Sequence, residues 1–233
     1  MARNELLSNL PKFRRGSLVL FAITALATAL LGDQPLGQAL RLVPSEVYSG
    51  ATVWAPLTAS FMFPDGGAGL VLGTLIVQWF IGGQLEDFWG TRKYVTLVLG
   101  CSVGGYVAST LLGLVVPVVA ATPVGGSSGM DLATIAAFGV VFGSRQMSLL
   151  GAVTMKARTF AIILAALGII SPLARGAPWP VAVPWLVALG AALLVTTQPW
   201  RRQRSSGKLG GRKKKSKGRA NLRVVGPDDK LLN

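Results

Sequence analysis

The sequence contains no histidine and a single cysteine, and these two absences exclude much of enzyme chemistry. Histidine is the commonest general base near neutral pH and the commonest metal ligand, so most haem, zinc and copper sites are excluded. Cys101 cannot form a disulfide within the chain, and it lies in an apolar run, so we expect a small buried hydrophobe there. We therefore expect neither a metal nor a cofactor.

Charge is also scarce. Only 14% of the 233 residues are charged and 51% are hydrophobic, whereas a soluble domain carries roughly 25% charged residues. A helix needs about 20 apolar residues to cross a hydrocarbon core of roughly 30 Å, and the chain contains several runs that approach this length. The composition therefore predicts an all-α integral membrane protein.

We predict six membrane-spanning helices. They lie at residues 17–31, 67–83, 94–116, 127–142, 159–172 and 181–197. Basic residues before the first span would also suit a cleaved signal peptide, but no small-residue cleavage site follows cleanly. The chain thus divides into an N-terminal segment (1–16), a six-helix membrane domain (17–197) and a tail (198–233).

The basic residues of the loops predict the orientation of the bundle. Those between spans two and three and between spans four and five are Arg92, Lys93, Arg145, Lys156 and Arg158. The positive-inside rule makes this side cytoplasmic, together with both termini, and we expect a prokaryotic inner membrane. The first external loop, residues 32–66, holds apolar stretches too short to span, so we expect it to lie partly embedded in the outer interface.

The tail is strongly basic. Between Arg201 and Arg223 it carries eleven Lys or Arg residues and no acid, among Gly and Ser. We expect this segment to be disordered in isolation and to bind anionic lipid at the cytoplasmic surface. Contact with nucleic acid, such as ribosomal RNA during insertion, is the alternative; the absence of aromatic residues among the basic ones disfavours specific RNA binding.

Small residues recur at every fourth position of two spans. They are Gly100, Gly104 and Ala108 in the third span, and Gly125, Gly129, Ala133 and Ala137 in the fourth. Such faces allow helix backbones to approach closely in a bilayer. We expect them to pack helices within the chain, and a homodimer interface is the alternative.

Three acids lie at or near membrane depth, where a charge costs roughly 2.5–3.5 kcal/mol to insert. Glu86 and Asp87 close the second span beside Arg92 and Lys93, which suggests ion pairing at the interface. Asp131 lies in the first turn of the fourth span, where the helix N-terminus favours a negative charge. A polar partner for Ser128 and a contact to a client helix are the other roles open to Asp131.

Three segments carry a resemblance to a known family. Residues 54–61 of the first loop begin Trp-Ala-Pro-Leu-Thr, residues 85–93 read Leu-Glu-Asp-Phe-Trp-Gly-Thr-Arg-Lys, and residues 126–129 read Gly-Ser-Ser-Gly at the head of the fourth span. In this order they resemble the rhomboid family of intramembrane serine proteases. The matching motif residues are Glu86, Trp89, Gly90, Arg92, Gly126 and Gly129, with Ser128 at the nucleophile position.

The resemblance implies a six-helix rhomboid-like bundle with a partly embedded first loop, but its catalytic positions are altered. The family's histidine in the sixth helix would lie near Val183, and its histidine and asparagine in the second helix fall on Leu70 and Thr74. A serine hydroxyl is a weak nucleophile until a base takes its proton. Lys156 is the only candidate replacement base, and we predict it at the opposite membrane face. We expect Ser128 instead to cap the fourth helix.

These observations predict a catalytically inactive rhomboid-like membrane protein that binds transmembrane helices of partner or client proteins and affects their stability, folding, trafficking or assembly. An accessory subunit of a larger membrane complex is one alternative. The other is an active intramembrane serine protease that uses a base other than histidine.

Overall fold

The computed structural model describes residues 13–32, 34–63, 68–149 and 153–197. The basic tail, and with it the predicted lipid or RNA contact, lies outside the described residues. Within these described residues, six long helices make up the bundle: α1 (Arg15–Leu31), α2 (Ala68–Ile76, Val77–Gly82 and Gly83–Trp89 in succession), α3 (Thr91–Gly113), α4 (Ser128–Val141), α5 (Ala157–Ala174) and α6 (Ala182–Thr197).

Four of these helical stretches are long and apolar enough to cross a membrane. They are Gly69–Trp89, Thr91–Gly113, Ala157–Ala174 and Trp179–Thr197. The two shorter apolar helices, α1 and α4, have 17 and 14 residues. At 1.5 Å per residue α4 is only about 21 Å long, which is less than the hydrocarbon thickness. A helical integral membrane protein is therefore confirmed, whereas the length criterion supports four spans rather than six.

The chain between α4 and α5 contains the strands of the described structure. Strands β1 (Gln146–Leu149) and β2 (Val153–Lys156) pair antiparallel, with Gln146 opposite Lys156. The prediction of an all-α membrane protein is confirmed by the mostly helical structure, and this short hairpin, in which Met147 pairs with Met155, is an addition that the sequence did not predict.

The junction of α2 and α3 differs from its predicted position. We expected the second span to cover residues 67–83, with Glu86 and Asp87 closing it, and the helix continues to Trp89 with a π-helical segment at Val77–Gly82. Gly90 then adopts a φ of +81°, a left-handed conformation that glycine accepts without steric cost, and α3 begins at the next residue. A single glycine therefore joins the two helices.

The first loop folds into short helices that pack on the bundle. Their ranges are Pro35–Leu40, Pro44–Tyr48, Ala55–Thr58 and a 3-10 turn at Ala59–Phe61. Proline stands in the first turn of the first three, where its missing N–H costs nothing. Leu42 and Val124 exchange backbone hydrogen bonds of 3.0 and 2.8 Å. The loop is thereby fixed to the turn that precedes α4.

Helix α4 lies at the centre of the bundle and contacts α2, α3, α5 and α6. Its small residues Ala133 and Ala137 are fully buried, as are Ala188 and Ala192 of α6 in the same apolar cluster. A methyl group added at Gly129 would lie 3.0 Å from the Ser102 hydroxyl of α3. These small side chains allow α3, α4 and α6 to approach closely.

The small-residue face of α3 was assigned to the wrong side of the helix. Gly100 and Gly104 are exposed, and a methyl group added at either would meet nothing within 4 Å in the described structure. The close contact is made by Gly105, where an added methyl carbon would lie 2.2 Å from the carbonyl oxygen of Pro184. The residues that face the bundle are the neighbouring stripe, which includes Val98, Ser102 and Ser109.

Candidate functional site

A cavity of about 470 Å³ opens at the head of α4. We call it the Ser128 cavity, and the end of the bundle that contains it the Ser128 end. It is lined by the first loop, α2, the turn before α4, the start of α4, the end of α5 with the segment that follows, and α6. The lining includes Arg41, Phe63, Leu70, Ser128, Pro172, Arg175, Val181 and Trp185. The structure thus brings Leu70 and Ser128 together across 58 positions of sequence. The lining includes Trp185 of α6 and Val181 of the short turn before that helix, but not Val183.

The turn before α4 is held in place by the first loop and by α3. Gly126 has a φ of +103°, and a methyl group there would lie 2.5 Å from the ring of Phe63. Its N–H donates to the carbonyl oxygen of Ala59 (2.8 Å), and its carbonyl oxygen accepts from the Tyr106 hydroxyl (2.7 Å). Glycine is therefore required at this position both by conformation and by space.

Ser128 does not cap α4. The helix begins at Ser128, so Ser127 occupies the N-cap position, and no side-chain oxygen caps the free N–H groups. The Ser128 side chain is half-buried and lines the cavity instead. The predicted capping role is therefore wrong, because the helix starts one residue earlier than that role requires.

Asp131 accepts hydrogen bonds from α2 across the bundle. The Thr74 hydroxyl donates to Oδ2 (2.7 Å) and Gln78 Nε2 donates to Oδ1 (3.1 Å). The Ser127 hydroxyl lies 2.6 Å from that of Thr74 and 3.3 Å from Oδ2 of Asp131. Of the roles left open for Asp131, the structure places its carboxylate among polar partners, but these are Thr74, Gln78 and Ser127 rather than Ser128.

The polar network continues away from the cavity. Gln78 Oε1 accepts from the Tyr94 hydroxyl, which also lies 3.4 Å from the Thr134 hydroxyl. Gln78 and Tyr94 are fully buried, and Gln78 lies in the π-helical segment of α2, a local geometry that often marks functional sites. Sequence reasoning missed both residues; an isolated glutamine in an apolar run was the signal available.

Glu86 joins α1 to the α2–α3 junction. Its carboxylate accepts from the N–H groups of Gly16 (2.8 Å) and Ser17 (2.9 Å), the first turn of α1, and from the Thr91 hydroxyl (2.6 Å). A carboxylate is stabilised at a helix N-terminus, where free N–H groups and the helix dipole meet it. This motif residue therefore holds three helices together.

The expected pairing of Glu86 and Asp87 with Arg92 and Lys93 is wrong. Asp87 forms an ion pair with Arg14, and the Lys93 ammonium lies 4.9 Å from the centre of the Trp89 ring. The difference arises because α3 begins directly after Gly90, which leaves Arg92 and Lys93 exposed on its first turn while α1 occupies the space beside Glu86.

Among the described residues, the lining of the Ser128 cavity contains hydrogen-bond donors but no carboxylate, histidine or lysine that could take the proton of the serine. The charged side chains in the described part of this lining are Arg41 and Arg175, whose guanidinium groups offer hydrogen-bond donors and no acceptor. Lys156 lines a different groove, together with Gly143 and the end of α6. Leu70 cannot donate to an oxyanion. Within the described ranges, no group of three His, Cys, Asp or Glu residues could hold a metal ion.

A protein-family model described as a eukaryotic integral membrane protein (DUF1751) matches residues 14–194, which is most of the chain and covers all six helices apart from the last residues of α6. A search of curated proteins finds no match. The description of the family as eukaryotic does not fit the expected prokaryotic inner membrane.

Proposed function

The chain belongs to this family of integral membrane proteins, and we propose that it is a catalytically inactive rhomboid-like protein that binds a transmembrane helix of a partner or client. In this proposal both short helices, α1 and α4, also cross the membrane, so that the bundle has six spans. A permanent partner would make the chain an accessory subunit of a complex, and a transient one would make it a factor for folding, stability or trafficking.

The observation that carries the proposal is the lining of the Ser128 cavity. Ser128 lines this cavity, and among the described residues the two charged side chains that share the lining with it are arginines. Without a base, the hydroxyl remains a weak nucleophile, and without polar donors at Leu70 an oxyanion has one partner fewer. Binding without cleavage is the function that this arrangement supports best.

The short helices are compatible with six spans because of where they lie. Helix α4 is enclosed by other helices over most of its length, with nine buried residues of fourteen, so that protein rather than lipid surrounds it. At the N-terminal end of α4, residues of the first loop surround the Ser128 cavity, so protein continues beyond the end of the helix. A helix in this position need not match the hydrocarbon thickness, since short spans are accommodated by local thinning of the bilayer.

Helix α5 is the least covered of the long helices and supports a binding role. Only 11% of its apolar 18-residue stretch is buried inside the bundle, against 33–39% of the corresponding stretches in the other candidate spans. It packs on α4, and in the described part of the chain it makes no extensive contact with α2, which also packs on α4. We therefore place a partner helix against α4, in the space between α5 and α2.

Leu167 identifies the side of α5 that borders this space. Ile169 and Leu173 of α5 pack in a cluster with Trp185, so their side of the helix faces α6. Leu167 precedes Ile169 by two residues, which is about 200° around an α-helix, and it is 58% exposed. Its side chain therefore projects on the side away from α6.

We expect a photo-crosslinking amino acid at Leu167, in the full chain and in its native membrane, to form a discrete adduct with a transmembrane segment of another protein. Positions Leu26 on α1 and Leu111 on α3 are the matched controls, because they are exposed to a similar extent, 60% and 61%. Mass spectrometry of the adducts gives the measurement. Equal, diffuse crosslinking from all three positions would contradict the proposed binding side.

A further inference from the structure

A second groove lies at the opposite end of the bundle, between α4, α5 and α6. Its volume is about 1040 Å³, and we call it the Lys156 groove. The floor is apolar, with Val140, Ile162 and Leu193 contributed by the three helices in turn. One end is different, since Lys156 and Arg158 lie there beside the hydroxyls of Ser144 and Thr197.

Backbone contacts hold the chain in place at Lys156 and Arg158. Lys156 ends β2 opposite Gln146, and the N–H of Ala157 donates to the carbonyl oxygen of Arg145 (2.9 Å). The N–H of Arg158 meets the carbonyl oxygen of Gly143 at 3.4 Å. The β-hairpin thereby anchors both basic residues at the mouth of the groove.

Neither cation has an acidic partner in the described structure. The ion pair found there joins Arg14 and Asp87, at a different part of the bundle. Lys156 and Arg158 also flank the start of α5, whose N-terminus no side chain caps and whose dipole adds positive potential. In the described residues, the mouth of the groove is therefore positive and has no acidic partner, while its floor is apolar.

We propose that the Lys156 groove binds one anionic phospholipid, with its phosphate at Lys156 and Arg158 and an acyl chain along the apolar floor. The combination of an apolar channel with cations at one end matches the two halves of a lipid, and basic pockets between membrane helices bind acidic headgroups. Leu189 and Thr197 of α6 both line the groove, and their separation along a helix is about 12 Å, so the floor can hold much of a chain.

A partner helix or free phosphate fits the groove less well. A free anion would leave the apolar floor unused, and a transmembrane helix has no general reason to carry a strong negative charge at this depth. The mouth lies at the end predicted to be cytoplasmic, where anionic lipids are enriched. The inference does not depend on the partner-binding side of α5, because Ile162 and Leu167 project on different sides of that helix.

The test is native mass spectrometry of the full chain in mild detergent, titrated with phosphatidylglycerol or with phosphatidylcholine. We expect one phosphatidylglycerol to be retained, and Lys156→Gln with Arg158→Gln to weaken its binding by about tenfold or more. The matched control, Arg14→Gln with Arg15→Gln, removes the same charge from exposed residues at the start of α1, outside the groove, and should leave that binding unchanged. Because every variant keeps the basic tail, the tail contributes equally to all.

A second pair of variants tests the floor. Ile162→Ser should weaken retention of phosphatidylglycerol, whereas Ile163→Ser, also exposed on α5 but outside the groove, should not. Size-exclusion profiles that match the wild type show that each variant is folded. Equal loss in the Lys156 and Arg14 double variants, no loss in either, or displacement of the lipid by millimolar inorganic phosphate would overturn the proposal.

Discussion

Substitution of Gly105 by valine should disrupt the packing of α3 on α6, whereas the same substitution at Gly104 should leave the bundle intact. A methyl carbon at Gly105 would lie 2.2 Å from the carbonyl oxygen of Pro184 and 3.0 Å from its carbonyl carbon. Both contacts are with backbone, which cannot rotate away as a side chain can. Overpacking of a core typically costs about 1–3 kcal/mol, and a backbone obstacle puts Gly105 at or above the upper value.

Gly104 is a close control because it is the adjacent residue of the same helix. A methyl group there meets nothing within 4 Å in the described structure, so the only change is exposed apolar surface. Thermal unfolding of each purified variant in the same detergent, followed by size-exclusion chromatography, measures the difference. Comparable destabilisation by both substitutions would show that the α3–α6 contact is not where the structure places it.

Substitution of Asp131 by leucine should have the second large effect. The carboxylate accepts from Thr74 and Gln78 in the interior of the bundle, and leucine accepts from neither. Thr74 can still bond to the carbonyl oxygen of Leu70 at 3.2 Å, but the Gln78 amide loses its acceptor. An unsatisfied buried polar group costs about 1–3 kcal/mol, and misfit of the branched side chain adds to this.

Asp131→Asn separates the hydrogen bonds from the charge. Asparagine keeps the size of the side chain and one carbonyl acceptor, so we expect a loss of unfolding temperature well below that of the leucine variant. Asp87→Leu serves as a control for removal of an acid from the surface, since its ion pair with Arg14 is about half exposed and such pairs contribute little. An equal loss of unfolding temperature in the two Asp131 variants would show that the negative charge of Asp131, rather than the hydrogen bonds that its carboxylate accepts, stabilises the bundle.

The positions of the helices were largely predictable from the sequence because they depend on local composition. Apolar runs located all six long helices, and Gly90 and Gly126 mark the turns at which α3 and α4 start. Which face of α3 packs against the rest of the bundle was not predictable in the same way. Gly100, Gly104 and Gly105 are all small, and spacing alone does not show which stripe faces α6.

The polar contacts were harder to predict because their partners are distant in sequence. Thr74 and Asp131 are separated by 57 positions, and Glu86 reaches Gly16 across 70. An acid in an apolar segment indicates that some partner is needed, but it does not identify the partner. Glu86 was matched to Arg92 by proximity along the chain, whereas the N-terminus of α1 lies closer in space.

The Ser128 cavity was predictable in part through the family resemblance. That resemblance paired Leu70 with Ser128, and both line the cavity. For the sixth helix it pointed to Val183, whereas Trp185 and the preceding Val181 face the cavity, because helix phase depends on where the helix begins. The arginines of the cavity were not foreseen, since Arg41 and Arg175 lie in segments without a regular pattern.

The reactivity of Ser128 tests the central claim most directly. The purified full chain and its Ser128→Ala variant are incubated with a fluorophosphonate probe, and each is also mixed with a model transmembrane substrate. A hydroxyl without a base should be labelled no faster than the background of the alanine variant, and neither protein should cleave the substrate. Labelling and cleavage by the wild type that both disappear in Ser128→Ala would contradict the account.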